Sequence, residues 1–195
     1  MIAIVKYNAG NIRSVQLALD RLGVESVWTD DPDTLYRADK VLFPGVGEAS
    51  SAMRYLRERG LDEVLRQLQQ PTLGICLGLQ LFCLHSEEGE TACLGIFDEP
   101  VRRFLPGQAH LKIPHMGWNT LDSLSGPLFK GIPEKSYVYF VHSFFATTGM
   151  DTTAHCQYGV HFSAAMQKNN FFAVQFHPEK SGPVGLQILA NFLKL

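Results

Sequence analysis

The chain has 195 residues, enough for one hydrophobic core without disulfide or metal staples and for two only with strain. With 46% hydrophobic and 18% charged residues, its composition excludes intrinsic disorder. A formal net charge of -2 and a pI near 6.4 leave no global field to draw the chain to nucleic acid or to an anionic membrane.

The first six residues, Met1-Ile2-Ala3-Ile4-Val5-Lys6, form a short apolar run of strand character with no basic leader ahead of a signal-peptide core. No apolar run reaches the ~18–20 residues of a membrane span, so the expected compartment is the cytoplasm. Residues 11–22 carry Val15, Leu19 and Leu22 at helical spacing, and Gly23 stops that helix. Strands are predicted at 25–29 and 40–43, the second closed by Pro44-Gly45. Helices at 50–59 and 61–69 are separated by Gly60, and Pro71 leads into a strand at 72–75 and a helix at 77–85. This alternation predicts an α/β fold with a doubly wound, mostly parallel sheet flanked by helices on both faces. The second half is rich in strands, predicted at 97–104, 112–121, 137–146, 153–158, 161–167 and 171–176, with Lys168-Asn169-Asn170 as a hairpin loop. These additional strands are expected to extend or cover the sheet. A last helix at 184–195 carries Leu186, Leu189, Phe192 and Leu193. No repeat, low-complexity tract or linker divides the chain, and residues 1–195 read as one domain.

The stretch with the most chemical content is Thr72-Leu73-Gly74-Ile75-Cys76-Leu77-Gly78-Leu79-Gln80. It sets a nucleophile between a strand and a helix with glycine two residues before and two after, the pattern of a nucleophile elbow with Cys in place of Ser. The turn is so sharp that side chains at the glycine positions would meet neighbouring backbone, and the nucleophile itself is expected in a strained conformation. Cys76 then sits at a helix N-terminus that favours thiolate, and the N–H of Leu77 points where an oxyanion would form. The bland alternative is a buried cysteine among closely packed glycines. The other cysteines, Cys83, Cys93 and Cys156, show no CxxC pairing and are expected to be free thiols.

A thiol needs a base. Among the seven histidines, His177 stands out in Val174-Gln175-Phe176-His177-Pro178-Glu179-Lys180-Ser181. It follows an apolar strand, Pro178 ends that strand, and Glu179 lies where a turn can fold its carboxylate back onto the imidazole. Alone, such a pair is an ordinary surface turn; only its combination with Cys76 makes it a base and its orienting acid. His85 reads as a helix-end residue, and His115 and His142 as satisfied core or pocket residues. No tight His/Cys/Asp cluster and no phosphate-binding glycine motif is present, so neither a metal nor a cofactor is expected. Pro44-Gly45-Val46-Gly47 is either a plain turn or a flexible main chain presenting a second oxyanion N–H.

With these pieces in chain order, the sequence resembles the class I (triad) glutamine amidotransferases over its full length; GICLGLQ and FHPE are hallmarks of that family. Within the family it is most similar to the glutaminase subunits of imidazole glycerol phosphate synthase. That similarity is carried by Tyr7-Asn8-Ala9-Gly10-Asn11-Ile12-Arg13-Ser14-Val15, Pro44-Gly45-Val46-Gly47, Ile113-Pro114-His115-Met116-Gly117-Trp118-Asn119, Tyr139-Phe140-Val141-His142-Ser143-Phe144 and Lys180. One departure is Ser143-Phe144 where the family often has Thr-Tyr, so any contact made by that phenol is missing.

The resemblance implies hydrolysis of L-glutamine to glutamate and ammonia by Cys76, His177 and Glu179. It places Gly47, Gln80, Ser143 and Phe144 beside the glutamine, and the oxyanion among the N–H groups of Gly45, Val46, Gly47 and Leu77. It implies a heterodimer with a TIM-barrel cyclase subunit that uses the ammonia to make imidazole glycerol phosphate and aminoimidazole carboxamide ribonucleotide in histidine biosynthesis. Asn11, Trp118 and Lys180 are the implied interface residues, and the glutaminase is expected to be almost inactive until the partner binds. The alternative is a paralogous glutaminase feeding ammonia to another synthase, such as a surface-sugar amidotransferase. A non-catalytic protein with a reactive Cys elbow would lack the His177-Pro178-Glu179 turn.

Overall fold

The computed structural model describes residues 1–8, 12–105 and 111–195; Asn11, with its neighbours Ala9 and Gly10, and His110 lie outside the described residues. β1 (Ile2–Val5) sends alternate side chains to opposite faces, Ala3 and Val5 into one apolar core and Ile2 and Ile4 into the other. α1 (Ile12–Arg21) buries Ile12, Val15, Ala18 and Leu19; of the stripe read from its spacing, Val15 and Leu19 are buried and Leu22 is half-buried just past the helix end, and the chain turns at Gly23, whose N–H bonds Asp20 O at 3.0 Å. β2 (Ser26–Thr29) pairs parallel with β1.

α2 (Pro32–Arg37) was not expected. Asp31 caps it by accepting from Thr34 N at 3.0 Å, and Pro32 opens its first turn. β3 (Lys40–Gly45), α3 (Ala49–Glu58) and α4 (Leu61–Gln67) follow, the two helices parted at Gly60 as predicted. β4 (Thr72–Cys76) is buried throughout and runs directly into α5 (Leu77–Phe82).

The helix expected over 77–85 stops early because loop residues capture its end. Cys83 N–H bonds Gln80 O, Gly95 N–H takes Cys83 O at 2.9 Å, and Ile96 and Phe97 N–H both take Phe82 O. The chain leaves as β5 (His85–Ser86), paired with β6 (Thr91–Ala92), so His85 lies on a short strand and not on the helix of Cys76. β7 (Val101–Arg103) and β8 (His115–Thr120) are shorter than their predicted spans. The strand expected over 137–146 is split at Ser143 into β9 (Tyr137–His142) and β10 (Phe144–Ala146). There His142 Nδ1 donates to Phe144 O at 2.7 Å and Ser143 O accepts from Phe104 N at 3.1 Å, which turns the chain from one sheet to another. β11 (Thr152–Tyr158), β12 (Val160–Lys168), β13 (Phe171–Val174) and α6 (Gly182–Leu193) complete the chain.

Among the described residues, the main sheet has the order β11-β12-β13-β4-β3-β1-β2. The run from β13 through β4 and β3 to β1 and β2 is parallel, and β11 and β12 extend it antiparallel. Of the second-half strands, β11, β12 and β13 extend the sheet as expected; the others lie in two smaller sheets, β10-β7-β5-β6 and β8-β9. Leu35, Met53, Leu61 and Leu81 from α2, α3, α4 and α5 pack with Val41 and Phe43 on one face. Val15 and Leu19 from α1 and Ile188, Leu189 and Phe192 from α6 pack with Leu42, Leu73 and Ile75 on the other. This is the doubly wound arrangement, with β4 in its middle and Cys76 at the carboxyl end of β4, where open α/β sheets place their sites. Among the described residues no helix is long and apolar enough to cross a membrane.

Candidate active site

The absence of any loop between β4 and α5 forces the backbone of Cys76 to φ 55 and ψ -104, a conformation that costs a side-chain-bearing residue roughly 1–3 kcal/mol. Neighbouring packing holds it there. A Cβ on Gly78 would lie 1.9 Å from Phe43 O, and one on Gly74 would lie 2.8 Å from the Phe82 ring. Only glycine lets α5 press onto β3 in this way. Leu77 is the first helical residue, so its N–H has no intrahelical acceptor. Gly45 is the ladder partner of Cys76 across β3 and β4.

A cleft of about 320 Å³ opens at the sulfur, lined by Val46, Gly47, Cys76, Leu77, Gln80, Glu88, Pro114, Val141, His142, Ser143 and Phe144. The four residues expected beside glutamine, Gly47, Gln80, Ser143 and Phe144, all line it. Of the expected oxyanion residues, Val46, Gly47 and Leu77 line it, whereas Gly45 does not.

His177 and Glu179 reach the same place from the other side. His177 follows β13, and Glu179 lies on the 3-10 turn Pro178–Lys180. Nδ1 of His177 is 2.8 Å from Glu179 Oε1, and the two side chains are 3% and 2% exposed. Ser181 ties the turn down: its hydroxyl donates to His177 O at 2.7 Å and accepts from Tyr139 N at 2.9 Å. Burial works against a charged His177 ring, but the nearby Cys76 sulfur and the Glu179 carboxylate outweigh it and push its pKa up to about 10. Nε2 is buried without a hydrogen-bond partner among the described residues; it feels the sulfur electrostatically without meeting the geometry of a hydrogen bond.

Three side chains join this site without having been singled out. Tyr7 packs its hydroxyl where a Gly45 Cβ would be, 1.9 Å away. That hydroxyl is buried without a partner among the described residues, and burial and the charge of Cys76 raise its pKa well above the ordinary phenol. Glu88 stands in the cleft wall; burial pushes its carboxyl up, while the N–H of Ala49 donates to it at 2.8 Å. Gln175, fully buried, directs its amide Nε2 at Cys76 Sγ from 3.6 Å. His115 and His142 are satisfied, as read from their apolar strands. His115 Nδ1 is 2.9 Å from His142 Nε2, and the His115 ring is stacked on Tyr158 at 3.9 Å and on Phe140 at 4.7 Å. Burial lowers their pKa values to about 4 and about 3.

Trp118 and Lys180 both meet Tyr139. The Trp118 ring is edge-on at 6.1 Å, and Lys180 Nζ lies 5.9 Å from the Tyr139 centroid. Trp118 is 56% exposed, beside exposed Met116 and Tyr137 on the β8–β9 ribbon. That exposure is more than strand packing requires. Tyr139 O accepts from His177 N at 2.9 Å, so this apolar face backs onto the turn that carries His177.

Residues 5–195 match the family described as Glutamine amidotransferase class-I. The chain is 57% identical over 194 residues to the imidazole glycerol phosphate synthase subunit HisH of Bacteroides thetaiotaomicron, covering 100% of this chain and 99% of that one. It is 46% identical over 197 residues to the subunit of the same name from Buchnera aphidicola, covering 100% and 99%. Among solved structures, PurLQS from Thermotoga maritima contains a chain that shares the fold with a TM-score of 0.71 at 17% identity, covering 99% of this chain and 97% of that one. The chain belongs to the class-I glutamine amidotransferase family and, within it, to the HisH subunits of imidazole glycerol phosphate synthase.

Proposed function

We propose that this chain hydrolyses L-glutamine with Cys76 as nucleophile, His177 as acid and base and Glu179 as its orienting carboxylate. We propose further that it delivers the ammonia to a TIM-barrel cyclase subunit making imidazole glycerol phosphate in histidine biosynthesis. The observation that carries the reading is a buried His–Glu pair facing a strained elbow cysteine at the floor of a cleft. The Cys76 thiolate attacks the carboxamide carbon, and the carbonyl electrons move onto oxygen. N–H groups of Leu77 and of the segment Gly45, Val46 and Gly47 stabilise that oxyanion, each by roughly 3 kcal/mol when well aimed. His177, charged when the thiolate forms, gives its proton to the leaving nitrogen, and ammonia departs from a γ-glutamyl thioester. The neutral ring then takes a proton from water, whose oxygen attacks the thioester and frees glutamate and Cys76.

The cleft wall suits the other end of the substrate. Glu88 is an uncommitted carboxylate for the α-ammonium group of glutamine, beyond its one bond from Ala49 N. Gln80 has both amide hydrogens engaged, at Phe144 O and Gln175 Oε1, so it serves substrate through its oxygen alone. Trp118 and Lys180, gathered on Tyr139, suit a docking surface for the cyclase, with aromatic and cationic anchors around an apolar centre.

The test is glutamate release from glutamine with and without the cyclase and its nucleotide substrate, beside Cys76→Ser. Strong activation by the partner that disappears in Cys76→Ser is expected. A second arm is labelling by an electrophilic glutamine analogue, which is expected at Cys76 alone. Burial raises the Cys83 thiol and pushes Cys93 and Cys156 up to about 12. Labelling elsewhere, with Cys76 untouched, sinks the reading.

A further inference from the structure

Gln175 follows β13 immediately, and its side chain is 0% exposed. A wholly buried primary amide has two donors and an acceptor to satisfy, and where they go is decided by groups of fixed polarity. Phe144 O can only accept, so the Gln80 side-chain atom 2.9 Å from it is nitrogen. The second hydrogen of that nitrogen points to the Gln175 side chain at 3.0 Å, so the atom of Gln175 facing it is oxygen. The remaining atom of Gln175 is then the nitrogen, and it faces Cys76 Sγ at 3.6 Å. Flipping Gln80 would set its carbonyl oxygen against those of Phe144 and Gln175, and flipping Gln175 would set two NH2 groups against each other and a carbonyl oxygen against the sulfur. The main chain of Gln175 is pinned as well, its N–H bonding Ala164 O at 2.8 Å.

Among the described residues, the other hydrogen-bond partner of the sulfur is Val141 O at 3.8 Å. A carbonyl can take the proton of a thiol but has nothing to offer a thiolate. An N–H donor does the reverse, since its bond strengthens when the acceptor becomes an anion. Among the described residues, the ionisable groups that act on Cys76 are His177, backed by Glu179, and Tyr7. We propose that Gln175 is a further residue of the glutaminase site, donating its side-chain N–H to Cys76 Sγ to hold the sulfur for attack and to favour its ionised form. Gln80 and the Phe144 carbonyl lock that orientation. The proposal rests on Cys76 being the nucleophile.

The test is alkylation of Cys76 by iodoacetamide on the full chain, resolved by site with mass spectrometry and followed against pH, for the unsubstituted protein and for Gln175→Met. Methionine keeps the length and removes the donor. At neutral pH the variant is expected to react roughly tenfold more slowly, the loss of one hydrogen bond to a charged group. Its profile is displaced to higher pH and converges with that of the unsubstituted chain once both are fully ionised. A profile that superposes on the unsubstituted one, with only thermal stability lowered, assigns Gln175 to packing and overturns the proposal.

If the variant does not fold, the side-chain amide resonances of Gln175 in the 15N-labelled unsubstituted protein give the same answer. They are expected to shift with pH and to lose that shift in Cys76→Ala; indifference to Cys76→Ala overturns the proposal. Failure of the underlying reading is seen separately, as an unsubstituted chain whose Cys76 ignores the electrophilic glutamine analogue.

Discussion

Glu179→Gln removes one charge and little else, and its effect follows from the geometry. The Nδ1–Oε1 bond is 2.8 Å long between side chains 3% and 2% exposed, so water does not screen it. A hydrogen bond to a charged group is worth about 1.5–3 kcal/mol against about 0.5–1.5 for a neutral one. The substitution therefore takes roughly 1–2 kcal/mol from the imidazolium that protonates the leaving nitrogen, a fall of about 5- to 30-fold in rate at 1.36 kcal/mol per decade. The new NH2 replaces Oε2, which has no partner among the described residues. Burying that donor costs a further ~1–3 kcal/mol of folding stability, separable from the rate by urea unfolding.

The sign of the pH effect is fixed too. Glu179 is one of the groups that raise His177 to about 10, so without it the ring loses its proton at lower pH. The alkaline limb of glutamate release, measured in the complex with the cyclase, is expected to move down in pH. An alkaline limb that stays in place, with stability lowered as calculated, would refute the assignment of Glu179 as the group that holds His177 charged.

Gly78→Ala drives a methyl to 1.9 Å from Phe43 O and has no flexible side chain to displace, so a loss of more than ~3 kcal/mol in urea unfolding is expected; a loss below ~1 kcal/mol shows that α5 can lift away from β3. Glu88→Gln is expected to raise KM for glutamine at least tenfold with kcat changed far less, measured by glutamate release, and an unchanged KM excludes Glu88 as the ammonium partner. From the three buried histidines, stability against pH is expected to peak at ~6.5. His115 at about 4 and His142 at about 3 are below the unfolded histidine, so their contribution is intact above pH ~6.5 and is lost as pH falls toward 4. His177, raised to about 10, contributes below ~6.5 and loses that as pH rises toward 10. Urea midpoints at pH 4.5, 6.5 and 9 check this, and a midpoint flat from 6.5 to 4.5 contradicts the neutral, buried histidine pair.

The elbow and the His177 turn were legible because their chemistry is written within a few consecutive residues, and the parallel core was legible from its apolar runs. What escaped was set by tertiary contacts. α2 carries one buried apolar residue, Leu35, so periodicity is silent there; the usable signal was Asp31-Pro32, an N-cap followed by a helix-opening proline. Apart from Gln80, the run after Cys76 stays apolar through Leu84, and only the capture of the Phe82 and Cys83 carbonyls by residues 95–97 ends the helix. Glu87-Glu88-Gly89-Glu90 reads as a solvated acidic run, and it is the fold of the β5–β6 hairpin that brings Glu88 to Ala49 and into the cleft wall. Gln175 and Gln80 lie 95 residues apart, and no local pattern announces that their amides meet.

The pairing of Gly45 with Cys76 divides the site into parts with different freedom. The nucleophile and the first residue of the oxyanion segment are rungs of one ladder and move only if the sheet moves. The next anchor is Glu48, whose carboxylate accepts from Ser50 N and Ser51 N. Between these two anchors lie Val46 and Gly47 alone. Under the proposed function, a docked partner would tune the site by turning one or two peptide planes while Cys76 and the core stay where they are. Switching of that kind needs no rearrangement of packed side chains, so its speed is set by local backbone rotation and its energy by which way a few N–H groups point.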